Sequence, residues 1–292
     1  MNDAAVSTVS RIGVVGCGLM GAGIAEVAAR AGLDVVVREV DAAACEAGER
    51  RIATSLGRAV ASGKLDPQSE KDAAARIRFA TEFEELADRQ VVVEAVVEDE
   101  AAKAAVFTAL DAVVADEQAV LATNTSSIPV MKLAMATRRP EAVIGIHFFN
   151  PVPVLRLVEL VPSLLTSEET IARAESVAAG ILGKRVIRSQ DRAGFIVNAL
   201  LIPYLLSAVR MLESGFATAA DIDSGMVEGC AHPMGPLALA DLIGLDTTMA
   251  VANSLYEEFK EQLYAPPPLL SRMVDAGLLG RKTGRGFYEY SR

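Results

Sequence analysis

The sequence predicts an α/β protein, a doubly wound parallel sheet followed by an all-α C-terminal domain. Three observations lead there. Short β-branched runs alternate with Ala-rich stretches of high helix propensity through the first two thirds of the chain. A glycine turn with the spacing GxGxxG joins the first run to the first helical stretch. After Asp191 the alternation stops and long helical patterns take over. At roughly 100–200 residues per domain, 292 residues make two domains. The change of texture divides them into 1–191 and 192–292.

In chain order, apolar runs of strand length lie at 12–15, 35–37, 77–80, 91–93 and 120–122, with helical stretches at 26–31, 42–61 and 100–114. Strands separated by helices make βαβ units, whose sheet is covered on both faces and therefore reads as continuous apolar runs. Runs at 143–147 and 155–161 flank the turn signal Asn150-Pro151-Val152-Pro153. A helix at 167–182 and a strand at 185–188 close the first domain. In the second, only the final 286–290 has strand character, and Pro266 to Pro268 form a short rigid connector.

Composition narrows the function. Fifty-one per cent hydrophobic and 23% charged residues exclude wholesale disorder. A net charge of −10 is the wrong balance for nucleic-acid binding by a broad basic surface. Residues 1–10 lack the basic and apolar regions of a signal peptide. The most apolar segment, 195–209, is interrupted by Asn198, Pro203 and Ser207 and falls short of the roughly 20 residues of a membrane span. Cys17, Cys45 and Cys230 are widely spaced without a CxxC pair, so no metal site and a reducing, cytoplasmic setting are expected.

The turn reads Gly16-Cys17-Gly18-Leu19-Met20-Gly21. In a dinucleotide-binding, Rossmann-type loop the first glycine permits the turn, the second admits the pyrophosphate, and the third lets helix pack on strand. The helix N-terminus supplies unpaired N–H groups to the phosphates. Glu39 ends the second run 18 residues past Gly21. An acid there accepts from adenosine ribose hydroxyls and repels a 2′-phosphate, which favours NAD over NADP. Arg38 beside it offers partial compensation. Glu39 as a solvated strand-end acid is the plain alternative, and Cys17 need be no more than a small residue that fits.

Only two histidines are available for proton transfer. His147 closes the 143–147 run, and Glu159 is the only acid of the run that returns. Each lies six residues from Pro153, so folding the two runs antiparallel about that proline makes them partners. A carboxylate beside the imidazole fixes its tautomer and stabilises the imidazolium. The pair serves catalysis or, alternatively, a structural hydrogen bond. His232, between prolines at a turn, reads as a loop-fixing residue.

Asn124-Thr125-Ser126-Ser127 follows the 120–122 run. Ser126 and Asn124 point into a cofactor crevice or, with Ser127, cap the next helix. Asn198 interrupts an apolar helical run. An amide left unpaired there would cost about 1–3 kcal/mol, so its partner is backbone or ligand. Lys103 and the group Arg50, Arg51, Arg58 and Lys64 read as solvated helix faces, although the group is also one of the few places where this acidic chain offers cations to a polyanion.

Taken together, these residues resemble the 3-hydroxyacyl-CoA dehydrogenase family, and within it the short stand-alone 3-hydroxybutyryl-CoA dehydrogenases. The landmarks are the segments 16–25, 94–98, 124–127, 147–151, 194–198, 232–236 and 280–288. The resemblance implies a helical second domain that binds substrate and forms a homodimer. It implies that His147 is the catalytic base, that Glu159 orients it, and that Ser126 and Asn198 position substrate. Matching dinucleotide positions are Gly16, Cys17, Gly18, Leu19, Met20, Gly21, Glu39, Glu98, Lys103, Ser126, Asn150 and Lys282. For CoA, Ser55 matches a contact; the lysine of some members aligns near Ser62, with Lys64 two residues on. The implied reaction is NAD-dependent interconversion of an (S)-3-hydroxyacyl-CoA, one of four carbons, and its 3-oxoacyl-CoA. The rivals are a same-fold dehydrogenase of a free hydroxy acid or carrier-bound acyl group, and a non-catalytic NAD-binding protein.

Overall fold

A computed structural model describes residues 9–290. Most of the N-terminal stretch read above as lacking a signal peptide lies outside the described residues. The chain divides into two compact units between Asp191 and Arg192.

The first unit carries one eight-stranded sheet in the order β3-β2-β1-β4-β5-β6-β7-β8. The strands are β1 (Arg11–Val15), β2 (Asp34–Arg38), β3 (Ile77–Ala80), β4 (Val91–Glu94), β5 (Val120–Thr123), β6 (Val143–Phe148), β7 (Leu157–Pro162) and β8 (Arg185–Arg188). All neighbours run parallel except the β6–β7 pair. The chain winds outward from β1 to β3, then returns to β4 on the other side of β1, so β1 and β4 flank the topological switch point where doubly wound sheets collect ligands. β4 and β5 are buried at every position, as strands covered on both faces must be.

Asp and Ser residues start four of the six α-helices described in this unit. α1 (Leu19–Arg30) begins on the glycine loop, whereas α2 (Ala42–Ala61), α3 (Pro67–Ala75) and α4 (Glu100–Val113) are capped by Asp41, Asp66 and Asp99. α5 (Val130–Ala134) has no side-chain cap from its own N-cap residue; instead the Asp191 carboxylate accepts from the N–H groups of Val130 and Met131, both at 2.7 Å. Ser127 is therefore not the cap of this helix. α6 (Glu168–Glu175) is capped by Ser167.

Several boundaries differ from expectation. α3 was not anticipated, because its polar sequence has little apolar periodicity; the Asp66 cap and Pro67 at its first turn specify it instead. The helix expected over 167–182 is α-helical only to Glu175 and continues as a π-helical turn over Ser176–Ile181. β7 begins at Leu157, because the N–H of Leu155 turns back to the carbonyl of Pro151 at 2.9 Å. The segment 286–290 makes only isolated bridges. The Asp241 carboxylate takes the N–H groups of Phe287 and Tyr288, at 3.0 Å each, in place of a neighbouring strand.

The second unit is helical: α7 (Val197–Glu213), α8 (Ala219–Cys230), α9 (Pro236–Ile243), α10 (Leu245–Phe259) and α11 (Pro268–Asp275). Leu205, Leu206, Val209, Leu237, Leu245, Leu255 and Leu270 form its core. Buried Asp223 caps the start of α9 through the N–H groups of Leu237 and Ala238 and accepts from the Tyr288 hydroxyl. Among the described residues no helix is long and apolar enough to cross a membrane.

Candidate active site

The glycine loop is shaped by close approach. Gly16 has φ +88°, and a Cβ there would lie 2.8 Å from the carbonyl oxygen of Ala95. A Cβ on Gly21 would lie 1.9 Å from the oxygen of Gly16, so helix and turn can meet only as glycines. At Gly18 the Cβ direction is open, with nothing within 4 Å. That open space lies at the start of α1, whose first turn has no side-chain cap and no acid. Open space beside uncapped N–H groups fits a dinucleotide pyrophosphate. Leu19 is exposed and Met20 half-buried beside it.

Glu39 bonds the loop itself. Its carboxylate accepts from the N–H of Cys17 and, at 3.1 Å, from that of Val40. The carbonyl of Cys17 is taken by the Arg51 guanidinium at 2.6 Å, so Arg51 is not simply part of a solvated helix face. Arg38 is committed elsewhere: its Nε donates to the Thr81 carbonyl at 2.9 Å and its guanidinium lies 4.0 Å from the Phe83 ring centroid. Burial, with Glu39 adding to it, pushes the Cys17 thiol up to about 12, so the thiol is inert.

His147 and Glu159 are direct partners in the β6–β7 register. Nδ1 of His147 lies 2.8 Å from Oε2 of Glu159. Both are buried, at 6% and 0% exposure. The Phe149 ring packs 4.6 Å from the imidazole. Half-buried Asn124 ties the strand ends together, its Oδ1 accepting from the N–H of Phe148 at 2.9 Å.

The next strand ends are organised by three charges. Glu94 ends β4 at 0% exposure and Lys103 on α4 is 1% exposed, which overturns the solvated-face reading of Lys103. Its Nζ lies 2.7 Å from Glu94 and 3.2 Å from Glu98. Glu94 also accepts from the Thr123 hydroxyl and the Val96 N–H, each at 2.7 Å. Glu98 then gathers the following loop: it accepts from the Thr125 hydroxyl at 2.6 Å, the Ser126 N–H at 2.9 Å, and the Ser127 hydroxyl at 3.0 Å. Burial opposes ionisation of Glu98, but Lys103 and these hydrogen bonds outweigh it and hold its carboxyl below the usual range. Sequence reasoning gave Glu94 no role of its own. Its signal was an acid closing an otherwise apolar strand nine residues before a lysine.

The glycine loop, Glu39, Glu98, Ser126, His147 and Asn150 thus all lie at the C-terminal ends of β1, β2, β4, β5 and β6. Ser55 is half-buried on α2, and Lys64 is exposed beyond the end of that helix. Asn198 and Lys282 belong to the second unit. Asn198 is half-buried in the first turn of α7, not sealed in an apolar interior, so the cost argued for a buried amide does not arise. The Lys282 ammonium pairs with both carboxylate oxygens of Asp246. His232 is held by the Tyr204 hydroxyl at 3.1 Å.

Among the described residues no group of three or more His, Cys, Asp or Glu side chains is arranged to hold a metal ion. Residues 11–192 match the profile of the 3-hydroxyacyl-CoA dehydrogenase NAD-binding domain, and residues 194–290 that of the C-terminal domain of the same family. A 3-hydroxybutyryl-CoA dehydrogenase of Mycobacterium tuberculosis is 58% identical over 290 residues, covering 99% of this chain and 100% of that protein. The crystal structure of FadB2 from M. tuberculosis superposes with a TM-score of 0.97 at 57% identity, covering 98% of this chain and 100% of the other. That of (S)-3-hydroxybutyryl-CoA dehydrogenase PaaH1 from Ralstonia eutropha gives 0.92 at 44% identity, with the same coverage. A nicotinamide-dinucleotide loop, a buried imidazole–carboxylate pair in the same sheet and agreement along nearly the whole chain have one common explanation: this chain belongs to the 3-hydroxyacyl-CoA dehydrogenase family.

Proposed function

We propose that the chain is an NAD-dependent (S)-3-hydroxyacyl-CoA dehydrogenase that interconverts 3-hydroxybutyryl-CoA and acetoacetyl-CoA. The observation that carries this reading is the buried 2.8 Å contact between His147 Nδ1 and Glu159 in the same sheet whose β1 leads into the dinucleotide loop. The names of the similar proteins support the substrate class.

With Nδ1 engaged by Glu159, Nε2 is the ring nitrogen that takes the proton from the substrate C3 hydroxyl. The Glu159 carboxylate offsets the charge of the imidazolium that results, and the ring returns the proton in the opposite direction. Bound nicotinamide supplies the hydride acceptor. Ser126 and Asn198 hold the hydroxyl and the thioester carbonyl, contributing by orientation. Glu39 receives the adenosine ribose hydroxyls, and Asn150, Glu98 and Lys282 address the rest of the dinucleotide. Lys103, enclosed between Glu94 and Glu98, serves the cofactor through Glu98. The second unit is the substrate-binding and homodimerising one in this reading. Exposed Leu200 and Met211 on α7 and Phe216 just after it are apolar surface suited to such a contact.

The test is NADH oxidation, followed spectrophotometrically, with acetoacetyl-CoA, longer 3-oxoacyl-CoAs and free acetoacetate, and repeated with NADPH. Turnover of the four-carbon thioester with NADH at least tenfold above the free acid and above NADPH is expected. Preference for the free acid transfers the chain to the hydroxy-acid rival, and no turnover with any thioester makes it a non-catalytic binder.

Ser55 and Lys64 are assigned to the CoA portion. Replacing Lys64 with Ala is expected to raise KM for acetoacetyl-CoA about fivefold to tenfold, the scale of one lost hydrogen bond of about 1 kcal/mol at an exposed position. KM for the pantetheine thioester, which lacks the nucleotide phosphates, stays unchanged. Equal KM values for wild type and variant with the CoA thioester remove Lys64 from this role.

A further inference from the structure

The adenosine end of the dinucleotide site contains a cation that the sequence placed only within a basic helix-face group. We propose that Arg51 is a second specificity-determining residue of this site, the donor that a phosphate on the adenosine ribose would take, set against Glu39 across the Cys17 backbone. The proposal rests on the reading of Glu39 as the ribose acid and deepens it.

Two opposite charges grip one loop residue. Glu39 accepts from the N–H of Cys17, and Arg51 donates to its carbonyl at 2.6 Å. The approach is built into the packing of α2. A Cβ on Gly48, one turn before Arg51, would meet both Cβ and Sγ of Cys17 at 2.8 Å, so that helix face lies directly against the loop. The nearby cations are otherwise occupied. Arg38 donates to the Thr81 carbonyl and lies over Phe83. Arg50 pairs with Glu46 at 3.4 Å. Among the described residues Arg51 has no carboxylate partner at ion-pair distance, only the Cys17 carbonyl.

The consequence is electrostatic. A ribose 2′-hydroxyl donates to Glu39. A 2′-phosphate is repelled by Glu39 but finds, across a single residue, a guanidinium whose planar fork matches phosphate oxygens. Arg51 therefore limits the discrimination that Glu39 would impose alone, and the ratio of affinities depends on both residues.

The experiment is calorimetric titration of the full chain with ADP-ribose and with 2′-phospho-ADP-ribose, which report the adenosine end without turnover. Wild type prefers the unphosphorylated fragment. In Arg51→Ala that preference widens about tenfold, the scale of a lost hydrogen bond to a charged group; in Arg51→Lys, which keeps the charge without the fork, it widens less. Glu39→Gln narrows the preference about tenfold by the same scale, and Glu39→Gln combined with Arg51→Ala loses that gain. The proposal is overturned if Arg51→Ala changes the ratio less than threefold, or if the double variant keeps the gain of Glu39→Gln. Tighter wild-type binding of the phosphorylated fragment would instead overturn the assignment of NAD, leaving the dependence on Arg51 to be judged by the same ratios.

Discussion

His147→Gln lowers turnover of acetoacetyl-CoA by about 100-fold or more, the scale of a lost general base, while dinucleotide affinity stays within a few-fold of wild type. The glutamine is of similar volume, neutral and able to hydrogen-bond, so the buried Glu159 carboxylate does not face an apolar side chain and the fold survives. What disappears is a group able to take and return the substrate proton. Glu159→Gln is the companion. It preserves volume and removes the charge that offsets the imidazolium, and turnover is expected to fall by about 10-fold to 100-fold, within the range of a lost acid–base component. Steady-state kcat, together with nucleotide binding by fluorescence, checks both. A His147→Gln enzyme with kcat within threefold of wild type would leave the 2.8 Å pair as a structural bond.

Lys103→Met is expected to produce the largest loss of stability. It strands the fully buried Glu94 carboxylate without its cation. Breaking a buried ion pair from one side costs about 3–5 kcal/mol, and at about 2–4 °C per kcal/mol for chains near this size that lowers Tm by roughly 10 °C. Glu94→Gln combined with Lys103→Met recovers part of the loss, because residue 94 is then neutral and can still hydrogen-bond to Thr123 and Val96, while Glu98 lacks its cation but keeps its bonds to Thr125, Ser126 and Ser127. Thermal unfolding of the single and double variants checks this. A single variant melting within 2 °C of wild type would show that Lys103 contributes nothing to holding these strand ends.

Much of the fold was legible because the signals were local. Continuous apolar runs located the strands, and α2 spans Ala42–Ala61, the stretch read from its composition. Register between β6 and β7 followed from counting about Pro153, since an antiparallel pair has a centre that the turn marks. What failed was also local in origin. α3 has a weak apolar pattern, and 286–290 has strand composition but no neighbouring strand to complete a ladder.

The site divides along the same line. Order along the chain was enough to determine the glycine loop, the acid that follows it and the pairing of His147 with Glu159, because each depends on spacing within one turn, one βα unit or one hairpin. Only the tertiary structure decided that Lys103 is sealed between two carboxylates, that Arg51 reaches the Cys17 carbonyl, and that Asp191 caps α5. In each case a charged side chain finds a partner on a different element, and helical periodicity read one residue type at a time registers only that a charge is present. Desolvation and a partner's position determine what such a charge does, and both exist only once the strands have been laid side by side.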